Sequence, residues 1–279
     1  MNLTFSLCGH EIPRIGMGTL YLSTERGFGG PLPHAGALLE EAVRLGVRFF
    51  DTADSYANGI AEQAVHDALH PYDGLLITTK GGFRHERLGQ WLRDGRPEHL
   101  RQVLDDSLRR LELETVDLYQ LHCPDPRIPY AESIGTLADL QRQGKIRHIG
   151  ISNVGTSEIE IAREEAEIVS VQNPFNVRSR RGGNVLGGGD VLDVCETHGM
   201  AFIPWAPLGD GGISWSDPVL VALAEKHKAR PPQIALSALL HRSPVILPIP
   251  GTSSHNHLRQ NVAAGEIILD EEDLDQLWA

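Results

Sequence analysis

Cysteine is scarce in this sequence, and its placement argues against several kinds of site. The three cysteines, Cys8, Cys123 and Cys195, are odd in number and form no CxxC pair. This usage predicts a reduced cytoplasmic protein without structural zinc or another metal site. No basic segment followed by an apolar run opens the chain, and no window approaches the ~20 apolar residues that span a bilayer. We therefore expect neither a signal peptide nor a membrane partner.

Basic residues are also scarce relative to acidic ones. The chain carries 25 lysine and arginine residues against 37 aspartate and glutamate residues, which gives a net charge of −12. This balance disfavours binding to the phosphate backbone of a nucleic acid, although it leaves open a local basic pocket for one phosphate. We expect a small-molecule partner, and a chain that is a monomer or a weak homo-oligomer.

Two common signatures of nucleotide and metal chemistry are missing. A Rossmann pyrophosphate turn requires GxGxxG after a strand, but GMGTLY at residues 16–21 lacks the third glycine. Metal-dependent hydrolases need clustered ligands such as HxH at a strand end, whereas HNH at residues 255–257 falls on a predicted helix. A hydrolase with Asp51 and His122 as metal ligands is therefore disfavoured, and stoichiometric zinc bound at these two residues would revive it.

Strand-like and helix-like segments alternate regularly along the chain. Short apolar runs without polar alternation are typical of parallel strands that are covered on both faces. Eight such runs occur, at residues 15–19, 47–51, 75–79, 116–121, 148–151, 168–172, 201–204 and 245–249. Helical patterns separate them, and 279 residues suit a single-domain α/β protein built as a (β/α)₈ TIM barrel. An N-terminal β-hairpin over residues 3–12 is predicted to close the bottom of the barrel.

Polar residues follow three neighbouring predicted strands. Asp51 and Tyr56 come after the second strand, Lys80 after the third and His122 after the fourth. In a parallel barrel these positions converge on the C-terminal rim. We predict Tyr56 as a general acid, Lys80 as the ammonium that lowers the pKa of its phenol, and Asp51 as the carboxylate that keeps Lys80 charged. His122 would orient the substrate oxygen. Each residue alone has a structural interpretation, but their order and placement favour catalysis.

Six stretches resemble signature segments of the aldo-keto reductase superfamily. They are FFDTADSYANG, ITTKGG, DLYQLHCPD, GKIRHIGISN, VQNPFN and IPIPGTSSHNHLRQN, in this order over essentially the whole chain. The resemblance implies a TIM barrel and a nicotinamide dinucleotide cofactor, usually NADPH. It places the catalytic tetrad of the family on Asp51, Tyr56, Lys80 and His122. It therefore implies an NAD(P)H-dependent oxidoreductase that reduces an aldehyde or ketone to an alcohol.

The resemblance also implies an extended cofactor across the barrel mouth. Ser152, Asn153 and Gln172 would hold its carboxamide. Trp205 would stack on the nicotinamide ring, unless it is only a packing residue. The other positions implied to contact the cofactor in the barrel mouth are Gly18, Thr19, Leu20, Asp51, Ala206, Pro207, Leu208, Gly209, Ile249, Gln260 and Asn261.

Residues 251–254 carry the strongest phosphate signal. Gly251, Thr252 and Ser253 enter a predicted helix, where hydroxyl side chains and free N–H groups bind anions or form an ordinary N-cap. By resemblance this is the site of the adenosine 2′-phosphate. Relatives often carry a lysine and an arginine where this chain has Gly251 and His257, so its preference for NADPH over NADH should be smaller. Helical spacing turns Arg259 away from the face of His257.

The substrate is predicted only by class. Leu20 stands where relatives that act on small aldehydes often carry an aromatic side chain, and a short C-terminus predicts an open entrance. The glycine- and proline-rich first loop and the IPGTSS…HLRQN ending resemble bacterial pyridoxal reductases, also called pyridoxine 4-dehydrogenases. Arg178, Arg180 and Arg181 would either meet an anionic substrate or form a solvated loop face, which is the simpler interpretation. Alternatives are reduction of sugar-like or secondary-metabolite carbonyls, and a non-catalytic NADPH-binding redox-sensing subunit.

Overall fold

The expected alternation of strands and helices is present in the computed structural model of the chain, which describes residues 3–25, 29–85, 90–178 and 190–278. The strands are β1 (Thr4–Leu7), β2 (His10–Pro13), β3 (Met17–Gly18), β4 (Phe49–Asp51), β5 (Leu76–Gly81), β6 (Phe83–His85), β7 (Trp91–Arg93), β8 (Val116–Leu121), β9 (Ile146–Ser152), β10 (Ile168–Pro174) and β11 (Ala201–Trp205). The helices are α1 (Ala35–Arg44), α2 (Ile60–Leu69), α3 (Pro97–Leu111), α4 (Tyr130–Arg142), α5 (Thr156–Glu165), α6 (Val191–His198), α7 (Pro218–Lys226), α8 (Pro231–Arg242), α9 (His255–Ala263) and α10 (Glu271–Trp278).

Seven of these strands form one parallel sheet in the order β11-β10-β9-β8-β5-β4-β3. Helices connect its successive strands, so the arrangement is the predicted (β/α)₈ TIM barrel. The register places Asp51 of β4 beside Gly18 of β3 and beside Thr78 of β5. Lys80 of β5 lies beside Gln120 of β8. Side chains from neighbouring strands therefore meet at the carboxyl ends of the sheet.

The predicted eighth strand, residues 245–249, helps to close the barrel without forming a regular strand. Among the described residues it pairs with β11 only at an isolated parallel bridge between Phe202 and Ile246. On its other side, the Gly16 N–H donates to the carbonyl oxygen of Pro248 at 3.0 Å. A longer ladder is prevented because Pro248 has no N–H to donate. The prediction of one continuous strand over residues 245–249 is therefore wrong, although the segment lies at the predicted place in the barrel.

The N-terminal hairpin predicted from the sequence is formed by β1 and β2, which pair antiparallel. Its turn places Cys8 at φ +54° and Gly9 at φ +79°, the left-handed geometry that two-residue hairpin turns favour. Leu7 and Ile12 are buried against Phe49, the first residue of β4, and against other residues near the strand starts. The hairpin thus covers the end of the barrel opposite the strand carboxyl ends.

Helix α3 shows how the outer layer forms. Pro97 occupies the first turn, where the backbone N–H that proline lacks would have no acceptor within the helix. Leu100, Leu104, Leu108 and Leu111 recur every three or four residues and are all buried. Each such leucine contributes about 1.5–3 kcal/mol of hydrophobic free energy to folding. Throughout the described chain, no helix has the length and apolar composition needed to cross a bilayer.

Candidate functional site

A cleft of about 960 Å³ opens where the parallel strands end. Three of the four predicted catalytic residues line it. Asp51 ends β4, Tyr56 lies in the turn before α2, and His122 directly follows β8. Lys80 is fully buried and does not reach the cleft surface. The strand ends thus bring all four residues together, with the amine behind the phenol.

The ammonium of Lys80 is held by three acceptors. Its Nζ donates to Oδ2 of Asp51 at 2.6 Å, to the carbonyl oxygen of Thr52 at 2.8 Å and to the hydroxyl of Tyr56 at 3.3 Å. An ammonium has three protons to donate, so no donor of this buried group is left unsatisfied. The position of the charge relative to the Tyr56 hydroxyl is therefore fixed.

The carboxylate of Asp51 is fixed by two side-chain amides. Its Oδ1 accepts from Nε2 of Gln120 at 3.2 Å and from Nε2 of Gln172 at 2.9 Å. Burial acts to lower the pKa of Lys80, but the Asp51 carboxylate and the Tyr56 hydroxyl outweigh it, and the pKa is raised. Lys80 is therefore charged at neutral pH, as predicted. Sequence reasoning missed Gln120, because it lies inside an otherwise apolar strand.

The phenol of Tyr56 differs from the expectation in one respect. Lys80 was expected to lower its pKa, and the ammonium does act in that direction. Burial has the larger effect, however, and the net result is a pKa raised from the ordinary value of 10.0. The predicted lowering is wrong for the free protein because phenolate would lose its contact with water. The hydroxyl keeps its proton at neutral pH, as a proton donor requires.

An aromatic wall, defined here as Phe83, Trp91 and His122, faces Tyr56. The ring centroid of His122 lies 4.7 Å from that of Phe83 and 5.8 Å from that of Tyr56. Trp91 and Tyr56 meet edge-on at 6.1 Å. Phe83 and Trp91 belong to β6 and β7, which pair antiparallel and were not among the strands predicted from the sequence. The two aromatic side chains were the available signal.

Arg93, two residues after Trp91, ends β7 and lines the cleft. It was not among the arginines predicted to meet an anionic substrate. Of those, Arg178 forms an ion pair with Asp217 and so belongs to a satisfied surface contact. Arg180 and Arg181 lie outside the described residues.

The polar groups expected to hold a carboxamide already have hydrogen-bond partners within the protein. Ser152 Oγ donates to the carbonyl oxygen of Gln172 at 2.7 Å. Nδ2 of Asn153 donates to the carbonyl oxygen of His122 at 2.9 Å, and its Oδ1 accepts from Nε1 of Trp205 at 3.1 Å. Trp205 is nevertheless 38% exposed, so part of its ring faces the cleft. A ligand carboxamide bound here would replace the Trp205 indole as the hydrogen-bond donor to Oδ1 of Asn153.

The far end of the cleft lies at the N-terminus of α9. Thr252, Ser253 and His257 line it, while Ser254 is the N-cap and accepts from the backbone N–H of His257 at 3.4 Å. First-turn N–H groups and hydroxyls favour an anion. Arg259 instead pairs with Glu41 at 2.6 Å, outside the cleft, as helical spacing indicated.

Gly251 occupies a position that is closed to side chains. A Cβ added there would lie 2.8 Å from Cδ2 of Tyr21 and 3.1 Å from the carbonyl oxygen of Gly18. The hydroxyl of Tyr21 in turn donates to Oδ1 of Asp210 at 2.9 Å, which joins two loops that line the cleft. No sequence pattern indicated this Tyr21–Asp210 contact. The lysine of many relatives is therefore sterically excluded in this arrangement.

Most residues predicted to contact a cofactor line the cleft. They are Gly18, Leu20, Asp51, Ser152, Asn153, Gln172, Trp205, Ala206, Pro207, Leu208, Ile249, Gly251, Thr252, Ser253, His257, Gln260 and Asn261. Thr19 and Gly209 do not. Thr19 is fully buried, and its hydroxyl donates to the carbonyl oxygen of Asp51 at 3.1 Å, so it supports β4 from beneath. Gly209 lies between Leu208 and Asp210, whose side chains form that part of the surface.

Comparison with known proteins identifies a family for the chain. The model of the Aldo/keto reductase family matches residues 14–279. The chain is 38% identical over 284 residues to pyridoxine 4-dehydrogenase of Escherichia coli (strain K12), covering 98% of this chain and 96% of that protein. Its fold matches the crystal structure of a thermostable aldo-keto reductase in complex with the inhibitor epalrestat, with a TM-score of 0.84, 30% identity and 99% of each chain covered. It also matches an aldo-keto reductase from Klebsiella pneumoniae in complex with NADPH, with a TM-score of 0.78, 26% identity, and 96% and 90% covered.

Proposed function

The chain belongs to the aldo/keto reductase family, and from that premise we propose that it reduces an aldehyde or ketone to an alcohol with NADPH. One observation carries the proposal. A buried Lys80–Asp51 ion pair lies against the hydroxyl of Tyr56 at one end of a long cleft whose other end is the N-terminus of α9. The first feature suits proton delivery to oxygen, and the second suits a phosphate.

The cleft fits an extended dinucleotide. Gly18 and Gly251 pack closely at the floor of the cleft and place no side chain in it. A Cβ on Gly18 would meet the carbonyl oxygen of Ile249, and a Cβ on Gly251 would meet that of Gly18. Gln260 and Asn261 line the adenine end, and Trp205 offers a half-exposed ring at the other. Thr252 and Ser253, with the first-turn N–H groups of α9, would hold the 2′-phosphate. These features support NADPH as the cofactor.

In the proposed reaction, bound NADPH supplies a hydride to the carbonyl carbon. Tyr56 donates its phenolic proton to the carbonyl oxygen, so the product gains one C–H and one O–H bond. The ammonium of Lys80, 3.3 Å from the phenol oxygen, stabilises the phenolate that remains. Asp51 keeps that ammonium charged. His122 orients the carbonyl oxygen toward Tyr56.

Pyridoxal is the substrate that the features favour. The aromatic wall and Tyr56 would pack against a planar ring, whose aldehyde carbon would then lie beside the phenol. Leu20 at the entrance leaves more room than an aromatic side chain. The 38% identity to a pyridoxine 4-dehydrogenase points to the same ring system. The scarcity of cysteine supports action in the cytoplasm.

A titration followed by a substrate screen tests the proposal. NADPH and NADH are titrated against the fluorescence of the tryptophans, and NADPH consumption is then followed with pyridoxal, aromatic aldehydes, ketones and sugars. We expect saturable NADPH binding and formation of pyridoxine. Efficient reduction of other carbonyls with pyridoxal untouched would make the substrate assignment wrong. NADPH binding with no turnover on any carbonyl would favour the redox-sensing subunit instead.

A further inference from the structure

A second cluster of chemically capable side chains lies at the opposite end of the barrel from the cleft. It consists of His66 and His70 at the end of α2 and Glu112 just after α3, and none of the three lines the cleft. One ligand atom from each residue lies within 4.8 Å of the other two. Although the scarcity of cysteine predicted no metal site, we propose that this His66–His70–Glu112 cluster is a binding site for one Zn²⁺ ion.

The ligand set and its spacing suit zinc. His66 lies in the last turn of α2 and His70, four residues later, caps that helix, so the two rings lie together at the helix end with their centroids 5.2 Å apart. Two imidazole nitrogens and one carboxylate are a familiar zinc donor set, with water as the fourth ligand. Zinc–nitrogen bonds of about 2.0–2.1 Å put neighbouring ligand atoms about 3.3 Å apart. His70 and Glu112 are exposed, and their side chains would rotate to close the remaining gap on zinc binding.

The hydrogen bonds of His66 already leave the correct nitrogen available. Its Nδ1 lies 3.0 Å from Oδ1 of Asp67, and Gln63 donates to the same oxygen at 2.7 Å. A carboxylate on one imidazole nitrogen fixes the tautomer that presents the other nitrogen to a metal. Nε2 of His66 is shielded from solvent and makes no hydrogen bond in the described chain; it faces Oε1 of Glu112 at 3.5 Å, an ion-pair contact that zinc would replace.

The backbone around the cluster also favours a cation. Helices α2 and α3 both end here, and the C-terminal end of a helix carries partial negative charge. The hydroxyl of Tyr72 donates to the carbonyl oxygen of Leu111 at 2.9 Å, which holds the segment after His70 against the end of α3. The two nearby cations are neutralised, since Arg109 pairs with Asp106 and Arg110 with Glu62. Zinc would thus link two helix ends from distant parts of the chain.

Zinc binding to the full-length, chelator-washed protein tests this inference. We expect one equivalent of Zn²⁺ by isothermal titration, a melting temperature raised by several degrees, and Co²⁺ absorption bands typical of tetrahedral coordination. His70→Ala and Glu112→Gln change exposed side chains and should each weaken binding at least tenfold. His198→Ala, which removes an exposed histidine elsewhere, should leave it unchanged.

Two results would overturn the zinc site. One is the absence of any equivalent of bound zinc in the unaltered protein. The other is a bound equivalent that is unaffected by His70→Ala and Glu112→Gln together, because the ion would then lie elsewhere. Carbonyl reduction with NADPH is measured on the same samples. It should be the same with and without zinc, so failure of the reductase proposal and failure of the zinc site remain separate outcomes.

Discussion

The two ends of the cleft are built in opposite ways. At the reactive end, Lys80 and Asp51 are buried, and the hydrogen-bonding atoms of both are engaged by protein. At the phosphate end, Thr252 and Ser253 present small groups to an open surface, and the described lining there includes His257 but no lysine or arginine. The proton chemistry is therefore fixed by the folded chain, whereas cofactor choice depends on weaker contacts that are simple to change.

Tyr56→Phe should have the largest effect. It removes the proposed proton donor and little else, so turnover should fall by about 10²–10⁴-fold. NADPH affinity should stay within about twofold, because the hydroxyl serves the carbonyl oxygen rather than the cofactor. Steady-state rates and a fluorescence titration measure both. Tyr130→Phe removes a hydroxyl outside the cleft and is the matched control. Near-normal turnover in Tyr56→Phe would remove this residue as the acid.

Lys80→Met should damage both rate and stability. The substitution leaves the Asp51 carboxylate buried without its cation, which costs about 3–5 kcal/mol of unfolding free energy. Lys145→Met is the control, because Lys145 pairs with Asp105 at 2.6 Å and the two side chains are 35% and 46% exposed. Exposed pairs contribute less than about 1 kcal/mol. Equal losses for the two variants in urea unfolding would contradict the buried pair described here.

The reactive end was largely predictable because strand ends are visible in the sequence. Asp51, Lys80 and His122 each follow an apolar run, and a parallel barrel brings such positions together. Gln120 was missed because it lies within the apolar run of β8, where its polar side chain has no distinguishing pattern. The shift in the pKa of Tyr56 was predicted in the wrong direction. The direction of that shift depends on how deeply the phenol is buried, which only the packed structure determines.

Other features depend on contacts that form only in the folded chain. Phe83 and Trp91 lie beside each other only because β6 and β7 pair, and neither strand was predicted from the sequence. Pro248 was visible in the sequence, yet the apolar pattern around it outweighed the missing N–H in our prediction of a strand. The obstruction at Gly251 by Tyr21 and Gly18 could not be seen before the chain was folded.

His257→Arg should strengthen the weaker end of the cleft, which is the end proposed to bind the phosphate. A charge-assisted contact to the 2′-phosphate contributes about 1.5–3 kcal/mol, so the preference for NADPH over NADH should rise by at least about tenfold. Gly251→Lys should fail to give this gain, because its Cβ would lie 2.8 Å from the Tyr21 ring. Dissociation constants for both cofactors measure the effect. An unchanged ratio in His257→Arg would place the phosphate elsewhere.

The pH dependence should show the smallest change. Because burial raises the pKa of Tyr56 above 10.0, the phenol stays protonated through neutral pH. The pKa of Lys80 is also raised, so its ammonium persists over the same range. The reduction rate at saturating substrate should therefore be flat from about pH 6 to about pH 9, and fall only as pH rises further. A fall centred near neutrality would instead support the lowered phenol pKa expected from the sequence.

The most direct test of the central claim follows the hydride itself. The protein is incubated with pyridoxal and NADPH carrying deuterium at both C4 positions of the nicotinamide, and the product is analysed by mass spectrometry and NMR. The account predicts pyridoxine with one deuterium on its new carbinol carbon. Pyridoxine without deuterium, or an oxidised cofactor with no alcohol formed from any carbonyl offered, would contradict it.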